Sequence, residues 1–159
     1  IHKLVYGNET IIEEGNGPRL DVIRAFVNND NWIYNQWFEK GLHHLEHRAV
    51  RHERINKKDG TMVFSFTVES QAPYGAKIHG GTSSGRNRIE ELEETKFTKD
   101  DFSFTTNQIW TVYPDGSVEL QAAITANEST LALGRVGCKM KGPGKYEHFT
   151  YYVRGPIDN

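Results

Sequence analysis

The chain has a single cysteine, Cys138, among its 159 residues. One thiol excludes an internal disulfide framework and a four-cysteine metal site, and it leaves the cytoplasm and the periplasm equally open as locations. No apolar run approaches the ~20 residues that cross a bilayer, so neither membrane nor lipid is expected as a partner. Charge of one sign is lacking too: the formal net charge of -2 argues against a chain held to nucleic acid by its field. The start at Ile1 shows no basic region and no apolar leader core, so any targeting signal is expected to have been removed. Phosphate-loop and dinucleotide signatures are missing, as is the HExxH pattern of zinc hydrolases. What remains is 36% hydrophobic and 25% charged, the composition of a soluble globular protein long enough for one domain with its own core.

Alternation of apolar and polar residues fills much of the chain. It is clearest over residues 61–70, where Met62, Phe64, Phe66 and Val68 share one face and Val63, Ser65, Thr67 and Glu69 the other. Residues 1–12 read as a hairpin around Gly7-Asn8, and residues 20–26 as extended chain. Residues 102–113 and 118–124 alternate on either side of Pro114-Asp115-Gly116, a turn whose proline presets φ and whose glycine takes a left-handed position. Two further runs, 136–140 and 149–153, flank Gly142-Pro143-Gly144. About eight to ten strands with one short helix predict an all-β fold, an antiparallel sandwich.

The helix is expected from Asp30 or Asn31, either of which can cap its first amides, to about Lys40, with Gly41 closing it. Trp32, Trp37 and Phe38 supply its apolar contacts, and Tyr34 and Phe38 are i, i+4 neighbours. Such aromatics either anchor the helix on a sheet or offer indole faces to a sugar. Arg24, in the extended run before the helix, reads as an edge or rim residue, or as one half of a binding or structural ion pair. His43 and His47 are four apart, but Gly41 ends the helix before them and no third ligand stands nearby in sequence, so no metal is expected. Residues 71–101 carry few apolar side chains and read as a mobile insertion, with at most a short helical turn around Ile89 and Leu92.

A retaining glycosidase needs two carboxylates about 5 Å apart, one of them held neutral. The 21 acidic residues lie in turns, at the cap or in the insertion, and none pairs in a catalytic setting. No catalytic residue and no cofactor is therefore expected. The chain ends on a bend, Arg154-Gly155-Pro156, followed by Asp158 and Asn159, and strand ends of this kind carry binding groups in β-domains.

Four stretches point to a family. They are GRVGCKMKGPGKYEHFTYYVRGPIDN at 134–159, PRLDVIRAFVNND at 18–30, WFEKGL at 37–42 and YPDGSV at 113–118. In order and content they resemble the small-chain module of family 2 β-galactosidases, whose patterns run RGPxEN, PRxxxxRAPxDND, WxxxGL and YxxDGSV. Residues 71–101 have no clear counterpart. The departures are Phe26 for the family's proline, Asn28 for its first aspartate and Asp158 for its glutamate. The resemblance implies a supersandwich like that of galactose mutarotases, of which this chain covers the first half. It implies a parent enzyme that hydrolyses terminal β-galactosides with glutamates of a separate TIM barrel, so this chain alone is expected to be inactive. Its role is to pack beside the barrel and the other domains and to help shape the carbohydrate site. Arg24, Asn29, Asp30, Arg154, Asp158 and Asn159 are the candidates for that site or its rim.

A free-standing carbohydrate-binding or interaction module is the alternative. Sugar epimerisation of the mutarotase kind stands last, because His43, His44 and His79 lie in loops without an evident partner. If residues 146–154 form a central strand of a larger sandwich, edges are left uncovered, and self-association as a homodimer is expected.

Overall fold

The computed structural model describes residues 2–80, 87–148 and 150, and contacts divide the chain into two compact parts, Leu20–Cys138 and Ile1–Arg19 with Lys139–Asn159. In the larger part, four long strands form one antiparallel sheet: β4 (Glu46–Asn56), β5 (Met62–Gln71), β8 (Phe104–Val112) and β9 (Val118–Ala126), in the order β4-β5-β8-β9. The chain is all-β and antiparallel with a single α-helix among the described residues, as the alternation predicts.

The period of two decides which face of that sheet is apolar. Register pairs Phe64 with Trp110 and Trp110 with Leu120, and pairs Val68 with Thr106 and Thr106 with Ile124, so these side chains share one face. Along β8 burial alternates strictly, with Phe104, Thr106, Gln108 and Trp110 buried and Thr105, Asn107 and Ile109 exposed. The turn between β8 and β9 is the expected one. Gly116 has φ 87°, and both the amide and the hydroxyl of Ser117 donate to Asp115, holding that carboxyl below its usual range.

One end of the apolar face is sealed by the segment before β4. Leu20, Val22, Ile33, Tyr34, Trp37 and Leu42 form one core with Phe102 and Phe104, and Ile124 and Ala126 of β9 pack against it. The α-helix in this segment, α1 (Tyr34–Glu39), is shorter than predicted. Neither Asp30 nor Asn31 caps it; a 3-10 turn, Asn28–Asp30, comes first, and Asp30 turns its carboxylate back onto the Val27 amide. Trp32 corrects a second expectation. It is 69% exposed and anchors nothing, whereas Trp37 is 1% exposed and sits in the core. Gly41 does close the helix, at φ 68°, where a side chain is strained.

Residues 71–101 are where the reading of the sequence departs furthest from the structure. Strands β6 (Tyr74–His79) and β7 (Arg88–Lys96) pair antiparallel, with Ile78 opposite Ile89 and Ala76 opposite Glu91, so Ile89 and Leu92 lie in a strand and not in a helical turn. The glycine-rich residues 81–85 lie outside the described residues. The missing apolar signal has a physical reason. β7 is exposed along most of its length, and β6 is fixed by backbone contact: a Cβ on Gly75 would stand 2.1 Å from the Glu39 carbonyl oxygen, and one on Gly41 would stand 2.2 Å from the Ala72 Cβ. Two glycines let the helix end and the strand meet main chain to main chain.

In the smaller part, β1 (Leu4–Tyr6) and β2 (Glu9–Ile12) make the predicted hairpin, with Gly7 at φ 59°. The 141–146 segment closes on it. Lys141 donates its amide to the Asn16 carbonyl at 3.1 Å, Lys145 forms an ion pair with Glu9, and the Tyr146 hydroxyl donates to the Thr10 carbonyl at 3.3 Å. The strand β3 (Arg19–Asp21), most of which belongs to the larger part, pairs with β10 (Gly137–Lys139). The run 149–153, expected as the partner of 136–140, lies outside the described residues except for Thr150.

The glycine contact sets a test. Gly41→Ala combines a left-handed backbone with a collision against Ala72 and the Tyr74 carbonyl, and is expected to cost about 2 kcal/mol or more. Gly144→Ala, where a Cβ meets nothing within 4 Å, is expected to be nearly neutral in the same urea titration.

Candidate functional site

Arg24 and Asp30 meet at the 3-10 turn, and each makes more than one hydrogen bond. Arg24 donates from Nη2 to Asp30 Oδ1 at 2.7 Å, from Nε to the Gly134 carbonyl at 3.1 Å and from Nη1 to the Ala25 carbonyl at 3.0 Å. The second Asp30 oxygen accepts the Val27 amide at 2.8 Å. Asp30 is only 7% exposed, so its charge needs these partners. Trp37 completes the arrangement: the Arg24 guanidinium lies 6.0 Å from its ring centre, and its Nε1 donates to the Ala132 carbonyl at 2.8 Å. Residues more than ninety positions apart are tied here by side chains bonding to backbone carbonyls.

The other rim candidates divide. Asn29 is exposed at the top of the 3-10 turn, close in sequence to the exposed indole of Trp32. Arg154, Asp158 and Asn159 lie outside the described residues. Among the described candidates the structure therefore joins Arg24 to Asp30 and leaves Asn29 free to face solvent.

The structure also gathers a cluster that the sequence did not reveal. His43 Nε2 lies 3.1 and 3.3 Å from the two Glu91 oxygens, and His44 Nδ1 lies 2.7 Å from His43 Nε2 and 3.5 Å from Glu91. His44 Nε2 is 2.7 Å from the Tyr74 carbonyl, which can only accept, so that nitrogen carries the proton and Nδ1 presents its lone pair. The His43 ring is held between Phe38, 4.9 Å away centre to centre, and His44, at 4.0 Å. Burial keeps His43 below its ordinary pKa, opposed by the Glu91 hydrogen bond and assisted by neighbouring His44. His79, also expected to be without a partner, sits in β6 and meets Glu90 at 2.7 Å. Both carboxylates come from β7, the strand read as loop, and only its alternation with β6 would have brought them to the histidines.

The model of the family described as beta galactosidase small chain matches residues 1–159. No curated protein and no solved structure matches the chain.

The Trp37 contacts are open to a direct check. Trp37→Phe keeps an aromatic ring in the core but removes the donor to Ala132 and part of the surface under Arg24. A loss of about 1–3 kcal/mol in unfolding free energy is expected, against less than about 0.5 kcal/mol for Trp32→Phe at its exposed position.

Proposed function

The chain belongs to the β-galactosidase small-chain family, and from that premise we propose that it is a non-catalytic β-sandwich domain of a β-galactosidase-type glycoside hydrolase. Its match to the family along the whole chain carries this reading. The parent enzyme hydrolyses terminal β-galactosides with carboxylates of its catalytic barrel. The present domain packs beside that barrel and helps to shape the carbohydrate site.

Two features of the fold support the assignment. The apolar face of the long sheet is only half covered. Beyond the core around Phe104, the side chains of Met62, Phe64, Phe66, Val112 and Leu120 keep intermediate exposure, and Val118 is exposed. An apolar strip of this kind suits burial against another domain. At the rim, Trp32 offers an exposed indole with Asn29 close by in sequence, a pairing of apolar platform and hydrogen-bonding group that fits a sugar ring. The Arg24–Asp30 pair supports the 3-10 turn that carries Asn29 and precedes Trp32.

The experiment has two arms. The isolated chain is expected to show no turnover of a chromogenic β-galactoside. Turnover that survives removal of contaminating enzyme and vanishes on changing an acidic residue of this chain overturns the non-catalytic reading. In the parent enzyme, Trp32→Ala is expected to raise KM for the galactoside several-fold while kcat changes little. An unchanged KM removes Trp32 from the carbohydrate site and leaves the packing role to stand alone.

A further inference from the structure

The cluster on the 3-10 turn Leu42–His44 has the donor set of a metal site. We propose that His43, His44 and Glu91 bind a divalent transition-metal ion of the zinc class, with His43 Nε2, His44 Nδ1 and a Glu91 carboxylate oxygen as its three protein ligands.

The geometry carries the proposal. The three ligand atoms all lie within 4.8 Å of one another. A tetrahedral ion with bonds of about 2.0–2.1 Å needs ligand atoms about 3.3 Å apart. With Glu91 Oε2 as the oxygen, the three separations are 2.7, 3.3 and 3.5 Å, so small ring rotations suffice. His44 is prepared for the task, whereas His43 Nδ1 is buried without a hydrogen-bond partner. The Tyr74 carbonyl takes the outer proton of His44 and so turns its Nδ1 lone pair inward, the outer contact that orients metal-bound imidazoles. Packing of His43 against Phe38 and of His44 against Tyr74 restrains both rings.

Charge around the site is mixed. Glu93, Glu91 and Glu46 add, after burial, to raising the Tyr74 hydroxyl above its usual pKa, while the Lys96 ammonium lies 4.6 Å from the Tyr74 ring centre. Two imidazoles and one carboxylate form the donor set that zinc and cobalt prefer, whereas calcium and magnesium prefer oxygen alone. Three protein ligands leave a fourth position for water. Because Glu91 sits on β7 and the histidines on the turn after α1, the ion would tie the β6–β7 hairpin to the end of the helix. The role is a structural clip, independent of any galactosidase activity.

Cobalt(II) is the probe. Added to the chelator-treated full chain, it is expected to bind one per chain with visible d–d bands of tetrahedral intensity, and zinc is expected to displace it and raise the melting temperature. Glu91→Gln preserves shape and is expected to weaken cobalt binding about tenfold or more, as is His43→Gln. His79→Gln, which removes the exposed His79–Glu90 pair on the same hairpin, is expected to leave binding unchanged. Circular dichroism of each variant checks that it folds. Absence of saturable binding overturns the proposal, and so does binding that a folded Glu91→Gln chain keeps at full strength.

Discussion

The structure depends on how one buried carboxylate is satisfied. Asp30 is almost wholly removed from water, and an unpaired charge there would cost several kcal/mol. Arg24 supplies the partner, the Val27 amide supplies the second hydrogen bond, and two further Arg24 donors reach Gly134 and Ala25. The pair thereby forces the extended run after β3, the 3-10 turn and the segment before β10 into one arrangement. Trp37 then fills the space beneath, and its indole N–H secures Ala132. A space constraint completes the knot: a Cβ on Gly134 would stand 2.8 Å from the Trp37 ring, so glycine is what lets the segment lie so close.

From that knot the rest of the larger part follows. The helix is held by its buried face, with Tyr34, Trp37 and Phe38 inward, and its end is held by Gly41 and Gly75 against β6. Fixing the helix end sets the 3-10 turn, and with it the position of His43 and His44 opposite Glu91. The same core covers only one end of the apolar sheet face. The uncovered strip and the exposed Trp32 are the features on which the proposed packing and sugar contacts rest.

Much of this was legible in the sequence, for reasons that differ by residue. The strands over 62–71 and 104–126 announce themselves because one face of each is apolar and the other is wetter, so period two survives into the composition. By contrast, β4 is polar and exposed along nearly its whole length and carries no such signal. Gly41 and the Pro114-Asp115-Gly116 turn were readable because each requires a backbone conformation that few residues adopt. The β6–β7 hairpin was not readable, since its strands are held by main-chain pairing and by the absence of side chains at Gly75, which leaves no hydrophobic signature. Trp32 and Trp37 were indistinguishable by type, and only the late start of the helix sends one outward and the other in. The His43–His44–Glu91 cluster stayed hidden for the same reason as the hairpin that completes it. An ion pair at Arg24 was one of the readings left open, but its partner Asp30 was not foreseen, and its reach to Gly134 was beyond any local pattern.

The central claim is that Arg24 and Asp30 act as one unit that holds the fold together. A double-mutant cycle in urea unfolding tests it most directly, with Arg24→Ala, Asp30→Ala and the combined variant measured against the parent chain. The account predicts that each single change costs about 3–5 kcal/mol and that the double change costs clearly less than their sum, with a coupling of about 1 kcal/mol or more. Additive losses, with no coupling beyond about 0.3 kcal/mol, would contradict it.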